Sequence, residues 1–234
     1  MQTEYKNPDL LWTPKQLHAR LGDPGLMVLD VRTTAEVLET GVIPGAQHLD
    51  LYGMGLTRAT PLEVFHAWVN MMRSLLAMRG VRLERTVVLY EHKETGSRAG
   101  RAFWLLEYLG HADVHILDGG MAAWQREGLP LARSLERPPR GSLPMAPREE
   151  IHITADELAA LLPGGEVQVW DTRNEKEYSG ADKRGGPRGG TIPGAVYLEW
   201  TNFLGPEGCL KPVPEVAALL ANHGIRPDKP VVPF

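Results

Sequence analysis

The sequence holds almost no cysteine. Cys209 is the single thiol in 234 residues, which excludes an internal disulfide framework and a cysteine-rich zinc site. The eight histidines show no metal-ligand spacing. Positive charge is not in excess either. The net charge is −4, so the chain carries no overall electrostatic footprint for nucleic acid. Long apolar runs are missing, the typical one being Val87-Val-Leu-Tyr90, far short of a membrane span. The first eight residues, Met1 to Pro8, are polar and contain no apolar signal core. The expectation is a cytoplasmic protein with no metal, no cofactor and neither a nucleic acid nor a membrane as partner.

The chain alternates strand-like and helix-like stretches. Thr13-Pro-Lys-Gln16 reads as a capping box opening a helix, which Gly22 to Gly25 ends in a turn. Leu26-Met-Val-Leu29 is a continuous apolar run, the signature of a strand buried on both faces. A short strand is expected near His48 to Leu51, after the turn Gly41 to Ala46. Thr60-Pro61 starts a helix with Phe65, Trp68, Val69, Met72, Leu75 and Leu76 on helical spacing, and Gly80 ends it. Thr86 to Tyr90 is a second buried strand, Arg98 to Leu109 a helix, Val114 to Leu117 a strand and Gly119 to Glu127 a short helix. The class is α/β with a mainly parallel sheet.

Residues 133–150 are rich in proline and charge and lack apolar periodicity, so they read as a linker between residues 8–132 and 151–234. After the linker the first pattern returns. Thr154-Ala-Asp-Glu157 is again a capping box, and Val167 to Trp170 is again a strand. Asp30, Arg32 and Glu36 recur 141 positions later as Asp171, Arg173 and Glu177. Ile43-Pro-Gly-Ala46 recurs 149 positions later as Ile192 to Ala195, which places an insertion in the loop from Gly180 to Gly190. Gly80 to Val88 matches Gly224 to Val232 without a gap, 144 positions on. The chain is an internal duplication. At the last of these offsets Phe234 answers to Tyr90, and the counterpart of Glu91 is position 235.

Two copies of a buried strand followed by Asp-x-Arg-x-x-x-Glu, an Ile-Pro-Gly-Ala turn and a Val-Val-x-aromatic strand resemble the tandem rhodanese sulfurtransferases. Leu117-Asp-Gly-Gly-Met-Ala-Ala-Trp124 resembles the way a domain of that family ends. The resemblance implies two rhodanese-like domains, each a mainly parallel sheet flanked by helices, the second incomplete. It also implies sulfur transfer from thiosulfate or 3-mercaptopyruvate to cyanide or a thiol, through a persulfide on a cysteine after the second Val-Val-x-aromatic strand. That places the nucleophile directly after Phe234, as cysteine or as a selenocysteine encoded by UGA, and leaves no catalytic residue within the 234. A strand end meeting a helix N-terminus gathers backbone N–H groups, which lowers a thiol's pKa. Glu91 fills the equivalent place in the first copy and cannot carry sulfur.

Arg173, Lys183, Arg184 and Arg188 are the candidate substrate-binding residues, the last three as an anion-attracting rim on the insertion. Asp30 with Arg32 and Asp171 with Arg173 read as structural ion pairs at strand ends. Thr191 stands where the family often has histidine. Cys209 reads as an incidental thiol, and the loop with His92, Lys93, Ser97 and Arg98 reads either as a wall of the cleft or, the simpler reading, as a degenerate solvent-exposed loop. A non-catalytic rhodanese-fold binding module is the alternative. The second domain is expected to be the looser one, with apolar surface left uncovered on its strands.

Overall fold

The computed structural model describes residues 4–51, 61–92, 96–135, 137–144 and 146–234. Thr60 and Lys93, singled out above, lie outside the described residues.

The first sheet has five strands, all parallel: β1 (Leu11–Trp12), β2 (Leu26–Asp30), β3 (Gln47–His48), β4 (Thr86–Tyr90) and β5 (Val114–Leu117), in the order β1-β5-β4-β2-β3. Its central strands have no polar face because helices cover both sides. Alternate residues therefore enter two different cores. Met27, Leu29, Val87 and Leu89 pack with α3 (Leu62–Met78) and α4 (Ser97–Tyr108). Val28, Val88 and Tyr90 pack on the opposite face with Leu17 of α1 (Pro14–Arg20) and with Met121 and Trp124 of α5 (Gly120–Arg126).

The capping box at Thr13 and Gln16 is formed. Helix α2 (Thr34–Thr40), not anticipated from the sequence, starts on a second one at Thr33 and Glu36. Its only buried side chain is Val37, so it leaves almost no apolar stripe for periodicity to detect. Strand β1 escapes sequence reading for a similar reason, being two residues long.

The second sheet, β7-β6-β8, joins β6 (Gln168–Asp171), β7 (Val196–Tyr197) and β8 (Val231–Pro233), again parallel. Helix α6 (Ala155–Leu161) begins on the predicted box at Thr154 and Glu157. Short α7 (Glu175–Tyr178) and α8 (Val213–Asn222) follow. The buried cluster here is small: Leu198, Phe203 and Ile225, with Trp170, Val216 and Val231 partly covered. Beside β8 an open apolar groove runs between Leu161, Val231 and Val232 on one side and Trp104 and Ile151 on the other.

Residues 133–150 do not hang free. Gly141 N–H donates to the Ala77 carbonyl at 2.7 Å, Arg148 N–H donates to the Tyr108 carbonyl at 2.8 Å, and Leu143 is buried in the first core. The segment is a strap folded along the first domain. Among the described residues no helix is long and apolar enough to cross a membrane.

Candidate active site

Both sheets present the same construction at the C-terminal ends of their strands, where loops gather in open parallel sheets. In the first copy Arg32 grips Asp30 through two nitrogens, Nε at 2.9 Å from Oδ1 and Nη2 at 2.6 Å from Oδ2. Its Nη2 also donates to the Gly41 carbonyl, and both side chains of the pair are fully buried. In the second copy Arg173 grips Asp171 with the same atoms at 2.9 and 2.6 Å, and its Nη2 donates to the Gly190 carbonyl. A bidentate pair of this kind fixes the loop after the strand. Asp30 with Arg32 and Asp171 with Arg173 thus form ion pairs at the two strand ends.

The copies part at one point. The Arg173 side chain is 30% exposed, against 0% for Arg32. Its guanidinium lies over the Phe234 ring at 4.8 Å, as Arg32 lies over Tyr90 at 5.5 Å. The Tyr90 hydroxyl lies against Asp30 and accepts the Ile43 N–H at 3.1 Å; burial first, and that carboxylate second, push its pKa well above the usual value. Phe234 has no hydroxyl. Thr191 supplies one from across the strand, its Oγ1 donating to Asp171 Oδ2 at 2.8 Å. Burial works to raise the Asp171 carboxyl, but the bonds from Arg173 and Thr191 outweigh it and hold it below the ordinary carboxylate range. Sequence reading took Thr191 only as a departure from histidine. The signal was available in the paired changes Tyr90 to Phe234 and Val42 to Thr191 between the copies.

The end of β8 is held as the end of β4 is held. Phe234 N–H donates to the Trp170 carbonyl, and the Thr172 N–H donates to the Phe234 carbonyl at 3.0 Å, in the register that Val31 N–H keeps with the Tyr90 carbonyl. Thr172 adds its hydroxyl, donating to the same Phe234 oxygen at 2.7 Å. Val31 has none to add.

Of the insertion residues, Arg184 pairs with Glu177 and Asp182 at 3.2 and 3.5 Å while its side chain stays 68% exposed. It does so from a left-handed backbone, φ 47°, a conformation that costs a non-glycine residue some strain. Lys183 and Arg188 are exposed and form no ion pair among the described residues. The fold thus joins Arg173 to Phe234, while Arg184 pairs with Glu177 and Asp182 and Lys183 and Arg188 stay outside this cluster.

In the first copy, Glu91 is buried directly after β4. Its Oε2 accepts the Arg98 N–H at 3.2 Å, and Arg98 also pairs with Glu36 at 2.9 Å. The carbonyls of Glu91 and His92 accept the Met121 and Ala122 N–H groups. Gly120 sits so close, at φ 55°, that a Cβ there would meet the Glu91 oxygen at 2.5 Å. Ser97 is the exposed first residue of α4. Trp200 of the second domain packs against Gly96, 3.2 Å from the position of a Cβ there. Behind it lies a cavity of about 280 Å³ between the domains. Cys209 lies nearby on the domain seam, against Gly119. Burial first, and the Asp118 charge second, push its thiol pKa up, the opposite of what a nucleophile needs.

A family model described as the rhodanese-like domain matches residues 13–127. A thiosulfate sulfurtransferase of Azotobacter vinelandii is 34% identical over 229 residues, covering 98% of this chain and 83% of the relative. A 3-mercaptopyruvate sulfurtransferase of Escherichia coli K12 is 30% identical over 220 residues, covering 92% and 75%. Among solved structures, the 3-mercaptopyruvate sulfotransferase SseA of Escherichia coli superposes with a TM-score of 0.81 at 26% identity, over 96% of this chain and 87% of that one.

Proposed function

Because the chain belongs to the rhodanese family of thiosulfate and 3-mercaptopyruvate sulfurtransferases, we propose that it serves sulfur transfer at the end of β8. The carrier is the residue directly after Phe234, a cysteine or selenocysteine. Its thiolate or selenolate attacks the outer sulfur of thiosulfate or the sulfur of 3-mercaptopyruvate. The bond from that sulfur to the donor breaks, and sulfite or pyruvate, the latter after a proton, leaves with the electron pair. Cyanide or a thiol then attacks the bound sulfur, and the carrier leaves as the anion it was.

The observation that carries this reading is the shared register of β4 and β8. Thr172 holds the Phe234 carbonyl as Val31 holds that of Tyr90, which supports a carrier at the position equivalent to Glu91 of the first copy. Arg173, half open over Phe234, is the cation suited to an anionic donor there. Arg184, Lys183 and Arg188 form an outer rim that raises the local concentration of anions. Asp30 and Arg32, closed and buried, have no part in substrate binding.

On this reading residues 1–234 supply the walls of the site and no sulfur carrier. The 234-residue chain, given thiosulfate and cyanide, forms no thiocyanate above the uncatalysed rate. The protein from its native source, treated with thiosulfate, gains one sulfur atom on the residue after Phe234 by peptide mass spectrometry. Turnover by the 234-residue chain that Cys209→Ser abolishes would overturn the assignment.

A further inference from the structure

The arginines of this protein divide into two populations. Arg20, Arg98, Arg126, Arg148, Arg184 and Arg226 each hold a carboxylate within 4.0 Å, as do the strand-end pair discussed above. The other described arginines have no carboxylate partner among the described residues and are spread over the surface, but three of them meet in one place. Arg79 lies at the end of α3, and Arg137 and Arg140 lie on the strap. All three line one groove with His48, Met78 and Leu135. Arg82 stands beside it, donating to the Arg140 carbonyl.

Two of these arginines have local structural work. Arg79 Nε donates to the His48 carbonyl at 2.5 Å, next to helix-end carbonyls that favour a cation, and Arg82 secures the strap. Arg137 and Arg140 are exposed and make no side-chain hydrogen bond or ion pair among the described residues. The groove is not simply charged. Met78 is 52% exposed and Leu135 47%, so two large apolar side chains stand open between guanidiniums. No carboxylate lines it among the described residues, in a chain whose net charge is −4.

We propose that this groove is a docking site for an acidic segment of a partner protein that carries one bulky aliphatic side chain. The carboxylates of the segment meet Arg79, Arg137 and Arg140, for which planar bidentate pairing is available. The aliphatic side chain covers Met78 and Leu135, which gives the contact a desolvated centre inside a charged rim. Nucleic acid would use the arginines and leave the apolar pair unsatisfied.

The test uses the full chain and a short fluorescent peptide of glutamates around a central leucine, followed by anisotropy. Controls are the all-glutamate peptide and a single-stranded oligonucleotide of equal length. The leucine peptide binds, and binding weakens as ionic strength rises from about 0.01 to about 0.15 M, where screening shortens from about 30 to about 8 Å. The double variant R137E/R140E, which removes no side-chain hydrogen bond or ion pair among the described residues, weakens it at least about tenfold with an unchanged circular dichroism spectrum. Leu135→Ser reduces binding of the leucine peptide and leaves that of the all-glutamate peptide as it was. Three results overturn the proposal: equal binding by R137E/R140E, equal affinity for the two peptides, or tighter binding of the oligonucleotide.

Discussion

At the scale of the residue, the two copies show how one structural requirement is met by two chemistries. A buried carboxylate at a strand end must be satisfied on both oxygens. Asp30 is held by Arg32 and lies against the hydroxyl of Tyr90 on the neighbouring strand. Asp171 is held by Arg173 and by Thr191. Phe234 thereby keeps a bare ring at the mouth of the second site. Thr191→Val is expected to cost about 1.5–3 kcal/mol, the range for a hydrogen bond to a charged group, read from urea unfolding. The sign of its pH effect follows from the depressed folded pKa of Asp171. A depressed carboxylate adds stability that is present above the unfolded value, about 3.9, and is lost as pH falls through the folded one. Without Thr191 that folded pKa rises toward the unfolded value. The variant should lose more stability relative to the parent at neutral pH than at strongly acid pH, and stability curves against pH followed by circular dichroism check this.

At the scale of the element, composition says that residues 133–150 connect the domains but not how they are held. Four prolines and mixed charge read as an interdomain linker, and its backbone is bonded to α3 at Ala77 and to α4 at Tyr108. Gly141 is the tightest point: a Cβ there would meet the Val81 carbonyl oxygen at 2.0 Å. Gly141→Ala is therefore expected to lift the strap and to destabilise the first domain by about 2 kcal/mol or more, toward the upper part of the ordinary range for single substitutions. The measurement is the midpoint of denaturant unfolding, together with faster tryptic cleavage at Arg137 and Arg140. Unchanged cleavage would mean that the strap is held elsewhere.

At the scale of the whole molecule, the domains differ in how much they bury. The five-stranded sheet separates two apolar cores, while the three-stranded sheet has one small cluster and an open groove along β8. Interior stability follows buried apolar contact. Amides of β6 should exchange with solvent at least about tenfold faster than those of β2 and β4, a difference of about 1.4 kcal/mol. Hydrogen exchange with mass spectrometry reads this directly, and equal protection of the two sheets would contradict it. What couples the domains is a set of contacts between residues distant in sequence: Leu210 N–H on Asp118 at 2.8 Å, Arg126 with Glu207 at 3.3 Å, and Phe65 stacked on His152 at 4.3 Å.

The sequence by itself determined the fold class and the duplication, because apolar runs, capping boxes and Asp-x-Arg spacing are local codes repeated twice. It also determined the pairing of Asp30 with Arg32 and of Asp171 with Arg173, since two residues apart at a strand end leaves an arginine within reach of its own aspartate. The tertiary structure alone decided what lies across from what. Thr191 reaches Asp171 over 20 positions, Trp200 packs against Gly96 of the other domain, and Arg79 shares a groove with Arg137 and Arg140. Those relations come from packing elements far apart in the chain, and no periodicity or spacing within one element encodes them.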